Sequence, residues 1–312
     1  NAVNVSLNAA SNLALGSIVG SNVSSVIAAT SAATLTVGTA VGGADITLRG
    51  AAIALTGTTT GADVTLNATT GSITGSGLVS GTNLTVDAAQ SATLNTSVTS
   101  LEATVGSDLT VTAAAGFDIN NLTIGNDLAI TAAGAITQTT AVTVPGNTSL
   151  TAGSNPITLT LANDFGGPVT VSSASNVSLN DSNALDLAAI TASGNLTVTA
   201  GGDLTINGTQ AITGEADYTA ANLAVDAAIG AANVALNATA GDITGTGLIT
   251  TAGVTANATG SIALNLSAAS LSAAAGTGIT ATDTDALVLE TVSSTTGLAS
   301  ISSGGTLTVN GS

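Results

Sequence analysis

The sequence contains no cysteine and no histidine, and it has very few aromatic or cationic side chains. Without Cys or His it can form no disulfide framework, no thiol catalyst and no histidine-based metal site. Only 1% of its 312 residues are aromatic, although 44% are hydrophobic. The core must therefore be built from Ala, Val, Leu and Ile instead of the large aromatic side chains that usually fill a globular interior.

Positive charge is nearly absent as well. Arg49 is the only Lys or Arg, against 18 Asp and Glu, and the formal net charge is −17. Such a surface repels phosphate backbones, which predicts that the protein does not bind nucleic acid. Because there is no His or Lys to act as a lyase base and the acids are scattered along the chain, we expect no enzymatic activity, no catalytic residues and no cofactor.

Long apolar runs and targeting segments are also missing. No uninterrupted apolar stretch is long enough to span a bilayer, so no membrane-spanning helix is expected. The chain begins NAVNVSLN, without an initiator Met or a basic-then-apolar signal segment, and ends in mid-pattern at TLTVNGS. These features predict an interior section of a longer protein.

What the sequence does contain is repetition. Residues 64–79 read VTLNATTGSITGSGLV and residues 234–249 read VALNATAGDITGTGLI, with 11 identities in 16 positions at an offset of 170. A second pair, residues 5–18 and 177–190, aligns at an offset of 172. The chain therefore holds a superrepeat of about 170 residues, in copies at about 5–172 and 177–312, of which the second is incomplete.

A shorter period of about 19 residues divides the superrepeat. An acid followed by an apolar–Thr/Ala–apolar run occurs at Asp108 and recurs one such period later at Asp127. Apolar residues alternate with polar ones in short runs, and each run is bounded by Gly, Asn, Ser or Asp, which is typical of short strands. Thr, Ser, Asn and Gly interrupt the Ala-rich segments too often for helices.

These periods predict an all-β fold, namely a right-handed parallel β-helix (solenoid) with three short strands in each coil of about 19–20 residues. About 16 coils would stack at the interstrand spacing of about 4.8 Å. Because each coil would contact only its neighbours, we expect one β-helix section over residues 1–312. An outer-membrane barrel would need aromatic girdles and a propeller an aromatic-bearing motif per blade, so the composition favours neither.

The most distinctive sequence lies in residues 125–200, which contain the segments AITQTTAVTV, ANDFGGPVTV and NVSLNDSNALDL. This segment resembles repeat regions of filamentous-haemagglutinin-like exoproteins, the large bacterial adhesins exported by two-partner secretion. The resemblance implies a right-handed parallel β-helix, an extracellular or cell-surface location, and an outer-membrane transporter as partner during export. It also implies a role in attachment, aggregation or biofilm formation, with a host surface, neighbouring cell or matrix as partner, and no catalytic residues.

Two functions are therefore expected. The first is a structural rod or stalk of a large secreted adhesin. The alternative is a self-assembling extracellular filament or sheath subunit whose first and last coils pair head to tail, since open ladder edges are templates for strand addition. An enzyme or carbohydrate-binding module would need a groove lined with aromatics, which the composition barely permits.

Four acidic residues are candidates for a calcium site. Asp108 and Asp127 occupy equivalent positions one coil apart, and Asp283 and Asp285 flank a single Thr. Carboxylates beside Asn carbonyl oxygens can bind Ca²⁺, and the alternative interpretation is solvated carboxylates at strand starts. Neither pair matches the Gly-Gly-x-Gly-x-Asp calcium nonapeptide.

Two further patterns have both a functional and a structural interpretation. Asn-x-Ser/Thr triplets, for example at Asn22, Asn67 and Asn83, are glycan acceptors in principle, but turn chemistry and amide ladders between stacked coils also account for them. Thr-x-Thr phrases such as Thr197–Thr199 resemble the Thr arrays of ice-binding solenoids, although Thr is also simply a good strand residue.

Overall fold

A computed structural model of the chain describes residues 4–20 and 26–310, and the triplet at Asn22 lies outside the described residues. The described residues contain 39 strands and no α-helix, which confirms the all-β prediction. None of their elements is a helix long and apolar enough to cross a membrane.

The first compact unit is Asn1–Gly153. Its strands are β1 (Val5–Ala9), β2 (Leu13–Leu15), β3 (Ile18–Val19), β4 (Ile27–Ser31), β5 (Thr34–Val37), β6 (Ala40–Val41), β7 (Ile46–Gly50), β8 (Ala52–Leu55), β9 (Thr59–Thr60), β10 (Asp63–Ala68), β11 (Ile73–Gly75), β12 (Leu78–Ser80), β13 (Asn83–Ala88), β14 (Ala92–Ser97), β15 (Ser100–Val105), β16 (Leu109–Ala113), β17 (Phe117–Ile124), β18 (Leu128–Ala132), β19 (Ile136–Gln138), β20 (Thr143–Val144) and β21 (Thr148–Thr151).

The second compact unit is Ser154–Ser312. Its strands are β22 (Ile157–Phe165), β23 (Val169–Ala174), β24 (Val177–Asp181), β25 (Leu185–Ala192), β26 (Leu196–Ala200), β27 (Leu204–Ile206), β28 (Gln210–Ile212), β29 (Glu215–Ala220), β30 (Leu223–Val225), β31 (Ile229–Gly230), β32 (Asn233–Ala238), β33 (Ile243–Thr244), β34 (Leu248–Ala258), β35 (Ile262–Ala275), β36 (Ile279–Asp283), β37 (Leu287–Ser294), β38 (Ala299–Ser303) and β39 (Leu307–Val309).

The strands pair in parallel, each with its counterpart one coil further along the chain. In the first unit β1, β2 and β3 pair with β4, β5 and β6. The coil from Val254 to its register partner Leu271 contains fewer residues than the coil from Val5 to its register partner Ile27. The chain is thus a parallel β-solenoid of about 16 coils, as the sequence predicts, with coil lengths that vary around the expected period.

Some coils have fewer than the expected three strands because a strand continues around a corner. β14 pairs with both β11 and β12 of the preceding coil, and β25 pairs with both β27 and β28 of the following one. Between β11 and β12 the chain has Ser76 and Gly77, whereas β14 runs uninterrupted through ATLNTS. Where the corner contains no glycine, one strand thus continues through it and takes the place of the two strands that were expected.

Alternating burial builds the interior. Along β16, Leu109 and Val111 point inward and the intervening Thr110 is exposed. Leu109 lies in register with Leu128 of the next coil, and Leu128 is only 1% exposed. The cores therefore consist of columns of branched aliphatic side chains, while Arg49 lies on the surface.

The two copies of the superrepeat fold alike where their sequences agree best. Gly75 and Gly245, which are equivalent in the two copies, adopt φ values of 126° and 132°, which L side chains rarely adopt. A Cβ on these glycines would lie 1.9 Å and 2.0 Å from the carbonyl oxygens of Leu55 and Val225 in the preceding coils. The backbone conformation at these glycines and their close approach to the preceding coil therefore explain why this segment is so similar in the two copies.

A bulge in β17 places a non-glycine residue in the left-handed region. Leu101 pairs with Ile119 and Ala103 with Leu122, so Asn120 and Asn121 together oppose one residue of β15. Asn121 has φ 115°, and it is the only described non-glycine residue with a positive φ. Its side-chain Nδ2 donates to Glu102 Oε1 at 3.4 Å, which is a long bond at an exposed site.

We expect Asn121→Gly to raise the free energy of unfolding by about 1 kcal/mol, because glycine removes the strain of this φ. The measurement is the midpoint of urea unfolding. Asn120→Gly, one residue away and without a positive φ, is the matched control and should lower stability by about 0.5–1 kcal/mol. Equal effects of the two substitutions would contradict the assignment of strain to Asn121.

Candidate functional site

Asp108 and Asp127 lie one coil apart, as predicted, immediately before β16 and β18. The backbone N–H of Asp127 donates to Asp108 Oδ1 at 3.3 Å, and Asn126 Nδ2 donates to the same oxygen at 2.8 Å. The backbone N–H of Asn147 in the next coil donates to Asp127 Oδ1 at 2.7 Å. At this corner each carboxylate therefore extends the hydrogen-bond ladder to the following coil.

Asp283 and Asp285 are close together but differ in environment. Asp283 is 2% exposed, and its Oδ2 and Oδ1 accept the backbone N–H groups of Ala268 at 2.9 Å and of Asp285 at 2.7 Å. Asp285 is exposed, and its Oδ2 accepts the hydroxyl of Ser267 at 2.9 Å. Both groups are thus acceptors for donors of the preceding coil or of their own turn.

In the described part of the chain, no three or more His, Cys, Asp or Glu side chains come together in an arrangement that could hold a metal ion. The hydrogen bonds of Asp108, Asp127, Asp283 and Asp285 place N–H and O–H donors against their oxygens. Calcium binding by these residues stays a prediction. Its test is a thermal unfolding curve in the presence and absence of a chelator.

Sequence reasoning missed Asp181, a second carboxylate that is almost fully buried. It is 1% exposed, and it accepts the backbone N–H groups of Phe165 and Asn183, each at 2.7 Å. Asp181 and Asp283 share the pattern Asp-Ser/Thr-x-Ala-Leu, in residues 181–185 and 283–287, and each ends a strand. That shared pattern was the available signal.

Asp181 lies at a corner of the solenoid that is hydrogen-bonded to an irregular segment of the preceding coil. Asn163 donates through Nδ2 to the carbonyl oxygens of Leu159 at 3.1 Å and Asn180 at 2.9 Å. Ser182 donates through Oγ to the carbonyl oxygen of Asn163 at 2.7 Å. The segments ANDFGGPVTV and NVSLNDSNALDL therefore lie next to each other in neighbouring coils. A side chain of each segment hydrogen-bonds to the backbone of the other and stabilises it.

Several outward carboxylates accept hydrogen bonds from asparagine amides of a neighbouring coil. Bonds of this kind join Asn83 to Asp63, Asn67 to Asp87, Asn207 to Asp186 and Asn222 to Asp203, at 2.7–2.8 Å. Each bond links two neighbouring coils. The abundant Asn residues thus hold the acidic surface together as well as forming turns.

Hydrogen bonding and burial shift several carboxyl pKa values in opposite directions. The amide of Asn126, followed by the backbone N–H of Asp127, lowers the pKa of Asp108. Burial raises the pKa of Asp181, against the opposing effect of its two backbone donors. Burial and the neighbouring Glu215 raise the pKa of Asp217.

Asp242 gives a testable pH dependence. The backbone N–H and the hydroxyl of Ser261 donate to its Oδ1 at 2.6 and 2.9 Å, and both bonds lower the pKa of the carboxyl. Because the folded pKa is depressed, the stabilisation is complete above the unfolded value of about 3.9 and is lost as the pH falls through the folded value. We expect Ser261→Ala to raise the pKa of Asp242 in a carbon-13 carboxyl titration. Ser300→Ala should leave it unchanged, and an unshifted Asp242 in Ser261→Ala would contradict this role.

Two shallow cavities lie at equivalent positions of the two superrepeat copies. One, of about 380 Å³, is lined by residues that include Asp63, Asn83 and Glu102. The other, of about 330 Å³, is lined by residues that include Glu215, Asp217 and Gly253. Their walls combine short polar and acidic side chains with aliphatic ones such as Leu84 and Val254, and they contain no aromatic side chain.

Comparison with known proteins gives a match to one family of repeats. Residues 106–172 and 174–226 match the family model described as Repeats of unknown function (DUF5649). Neither the curated proteins nor the solved structures gave a match. The fold and the matched segments define the protein as a repeat β-solenoid, and the matched part includes the corner built around Asp181.

Proposed function

We propose that the chain is a structural stalk section of a large secreted bacterial adhesin that acts in attachment, aggregation or biofilm formation. The observation that carries the proposal is the coil architecture. In each unit the described strands hydrogen-bond to the coils directly before and after them, around a core of aliphatic columns. Such a fold gains about 4.8 Å with every added coil and needs no larger core, which suits a spacer.

The surface supports a non-catalytic role outside the cell. The net charge of −17 favours solubility and opposes binding to nucleic acid. The carboxylates described above accept hydrogen bonds from asparagine amides and backbone N–H groups, which is a structural use of acidic residues. The resemblance to filamentous-haemagglutinin-like exoproteins adds an outer-membrane transporter as the export partner, and a host surface, neighbouring cell or matrix as the target of the parent adhesin.

The test is a display experiment that measures reach. The chain is inserted between a bacterial surface anchor and a peptide tag, and binding of antibody-coated beads to the tag is counted. The matched control deletes residues 64–233, one superrepeat, which joins Asp63 to Val234 at a position where the native chain has Asn233 before Val234. We expect fewer beads with the deletion and fewest without the chain, whereas equal binding in all three would contradict a stalk.

The alternative of a self-assembling filament or sheath subunit has one specific observation in its favour. Leu298, Leu307 and Val309 in the last described coil are 80%, 42% and 63% exposed. Leu307 and Val309 lie in register with the buried Leu287 and Leu289. Either a further coil or a second copy could cover them. Sedimentation velocity over a hundredfold concentration range would show polymers if this alternative holds, and one constant species if it does not.

A further inference from the structure

The corner between β27 and β28 contains an asparagine that is directly followed by a glycine. This pair, Asn207–Gly208, is the only one of its kind that lies wholly within the described residues, since the chain's other pair, Asn310–Gly311, ends outside them. Asn207 is exposed. Because glycine has no side chain to hinder its backbone nitrogen, that nitrogen can reach the side-chain amide carbon of the preceding asparagine. An Asn-Gly pair is therefore prone to spontaneous loss of the side-chain amide.

The fold requires the glycine of this pair. A Cβ on Gly208 would lie 2.4 Å from the carbonyl carbon of Ala188 and 2.4 Å from the backbone nitrogen of Ala189, both in β25. β25 pairs with β27 and β28, so these are backbone atoms of the neighbouring coil, and no side-chain rotation can relieve the overlap. The close approach of two coils thus places a reactive pair at this corner.

Hydrogen bonds to the neighbouring coil hold both reacting groups while the corner is closed. The backbone N–H of Gly208 donates to the carbonyl oxygen of Leu187 at 3.1 Å. Asn207 Nδ2 donates to Asp186 Oδ2 at 2.8 Å. The nitrogen of Gly208 must lose its proton and turn toward Cγ of Asn207 before it can attack. The reaction therefore requires a local opening of the corner that breaks these bonds.

The amide of Asn207 is also the partner of a carboxylate. Asp186 Oδ1 is buried without a partner, so Asn207 supplies the only hydrogen bond that the Asp186 side chain has among the described residues. Conversion of Asn207 to aspartate removes this donor and places a second carboxylate beside the first. No cation of the second unit can neutralise the two, since Arg49 is the only Lys or Arg and belongs to the first unit. The original contact cannot form again, because an acceptor is left without a donor and like charges repel.

Three other outward asparagines bond carboxylates in the same way but lack the glycine. The amides of Asn67, Asn83 and Asn222 donate to aspartates of neighbouring coils at 2.7–2.8 Å. Each is followed by alanine or leucine, whose side chain hinders attack by the backbone nitrogen. Asn207 is therefore distinguished by the residue after it, and the other three asparagines are matched internal controls.

We propose that Asn207 is a site of spontaneous deamidation, which reacts when this corner of the second unit opens and whose product prevents the corner from closing as before. Hydroxide takes the proton of the Gly208 nitrogen, the nitrogen bonds to Cγ of Asn207, and the Cγ–Nδ2 bond breaks. Ammonia leaves with a proton from water, and water then hydrolyses the succinimide ring to aspartate or isoaspartate, without oxidation or reduction. This inference concerns the chemistry of the corner and is independent of the proposed function.

The first test measures deamidation residue by residue. Folded protein and protein unfolded in guanidinium are incubated at mildly alkaline pH, digested with pepsin in acid, where deamidation is slow, and mapped by mass spectrometry. In the folded protein we expect conversion of Asn207, while Asn67, Asn83 and Asn222 stay intact. Unfolding should accelerate the reaction of Asn207 about tenfold or more, because no opening step is then needed. If Asn207 stays intact in the folded protein, or reacts equally fast in both states, the proposal is overturned.

Asp186→Ala tests whether the bond to Asn207 controls the rate. Without this acceptor the corner should open more often, and Asn207 of the folded protein should deamidate about fivefold faster. Asp63→Ala is the matched control, because it removes the corresponding bond from Asn83 in the first unit, and it should leave the rate at Asn207 unchanged. The same rate at Asn207 in the wild type and in Asp186→Ala would show that the closed corner does not protect the amide, contrary to the proposal.

Asn207→Asp reproduces one product of the reaction. In urea unfolding at neutral pH it should raise the unfolding equilibrium constant about tenfold, because Asp186 loses its donor and gains a like charge. Asn207→Ala removes the same donor without adding a charge, and this control should raise the constant only about threefold. If Asn207→Asp is as stable as Asn207→Ala or more stable, the product does not keep the corner open and the proposal fails.

Discussion

Gly245→Ala is expected to lower the free energy of unfolding by about 3 kcal/mol or more. Gly245 adopts φ 132°, a conformation that is strained for alanine. The new Cβ would also lie 2.0 Å from the carbonyl oxygen of Val225 and 2.4 Å from its carbon. Because these are backbone atoms of the coil below, no side-chain rotation can relieve the overlap, and the stack must open locally.

The measurement is urea unfolding followed by the fluorescence of Tyr218, the only tyrosine in a chain without tryptophan, which lies in the same unit. Gly230→Ala is the matched control. It lies in β31 of the same unit, but a Cβ there meets only the carbonyl oxygen of Gln210, at 3.8 Å. We expect this control to leave stability unchanged or to raise it by up to about 0.5 kcal/mol.

The same substitution at Gly75 extends the test to the first unit. Gly75 has φ 126°, and a Cβ there would lie 1.9 Å from the carbonyl oxygen of Leu55. We expect a loss as large as that of Gly245→Ala, since both glycines occupy the same place in the superrepeat. A Gly245→Ala protein as stable as the Gly230→Ala control would refute the backbone explanation for the shared segment.

The second large effect is expected at Leu128, where Leu128→Asp should lower the free energy of unfolding by about 4 kcal/mol or more. Leu128 is 1% exposed and lies between Leu109 and Thr148 in its column. An aspartate there buries a carboxylate, and the chain has a single cation, Arg49, which lies on the surface. No side chain of the column can neutralise the new charge.

Because each coil is stabilised by its neighbours, the damage should begin around the substituted coil. Hydrogen exchange of the β16, β18 and β21 amides is the appropriate measurement, and it should show loss of protection there first. Leu128→Met, which conserves volume and polarity, is the control and should cost less than about 1.5 kcal/mol. Unchanged protection in Leu128→Asp would show that this position does not face the core.

Much of the fold could be predicted from the alternation of residues along single strands. The inward positions of Leu109, Val111 and Leu128 follow from period-two burial, and the placement of Asp108 one coil below Asp127 follows from the short period of the repeat. These features depend only on the local sequence and on the length of the short repeat, and both can be read from one sequence.

The candidate site was only partly predictable. Its acids were identified at Asp108, Asp127, Asp283 and Asp285, but the donors that occupy their oxygens come from other coils. The burial of Asp181 was missed because an acid after an apolar strand usually ends at the surface. Its two backbone donors, on Phe165 and Asn183, become visible only when the irregular segment of the preceding coil is in place.

The sequence by itself determined the class of fold, because aliphatic alternation, scarce aromatics and a short internal repeat permit a thin stacked core and little else. Only the tertiary structure decided which strands continue around corners, which carboxylates are buried and which Asn pairs with which acid. The physical reason is that coil length varies, from the short coil between Val254 and Leu271 to the long one between Val5 and Ile27. Which residue a side chain meets one coil away therefore depends on the strand register. The average repeat length does not determine that register.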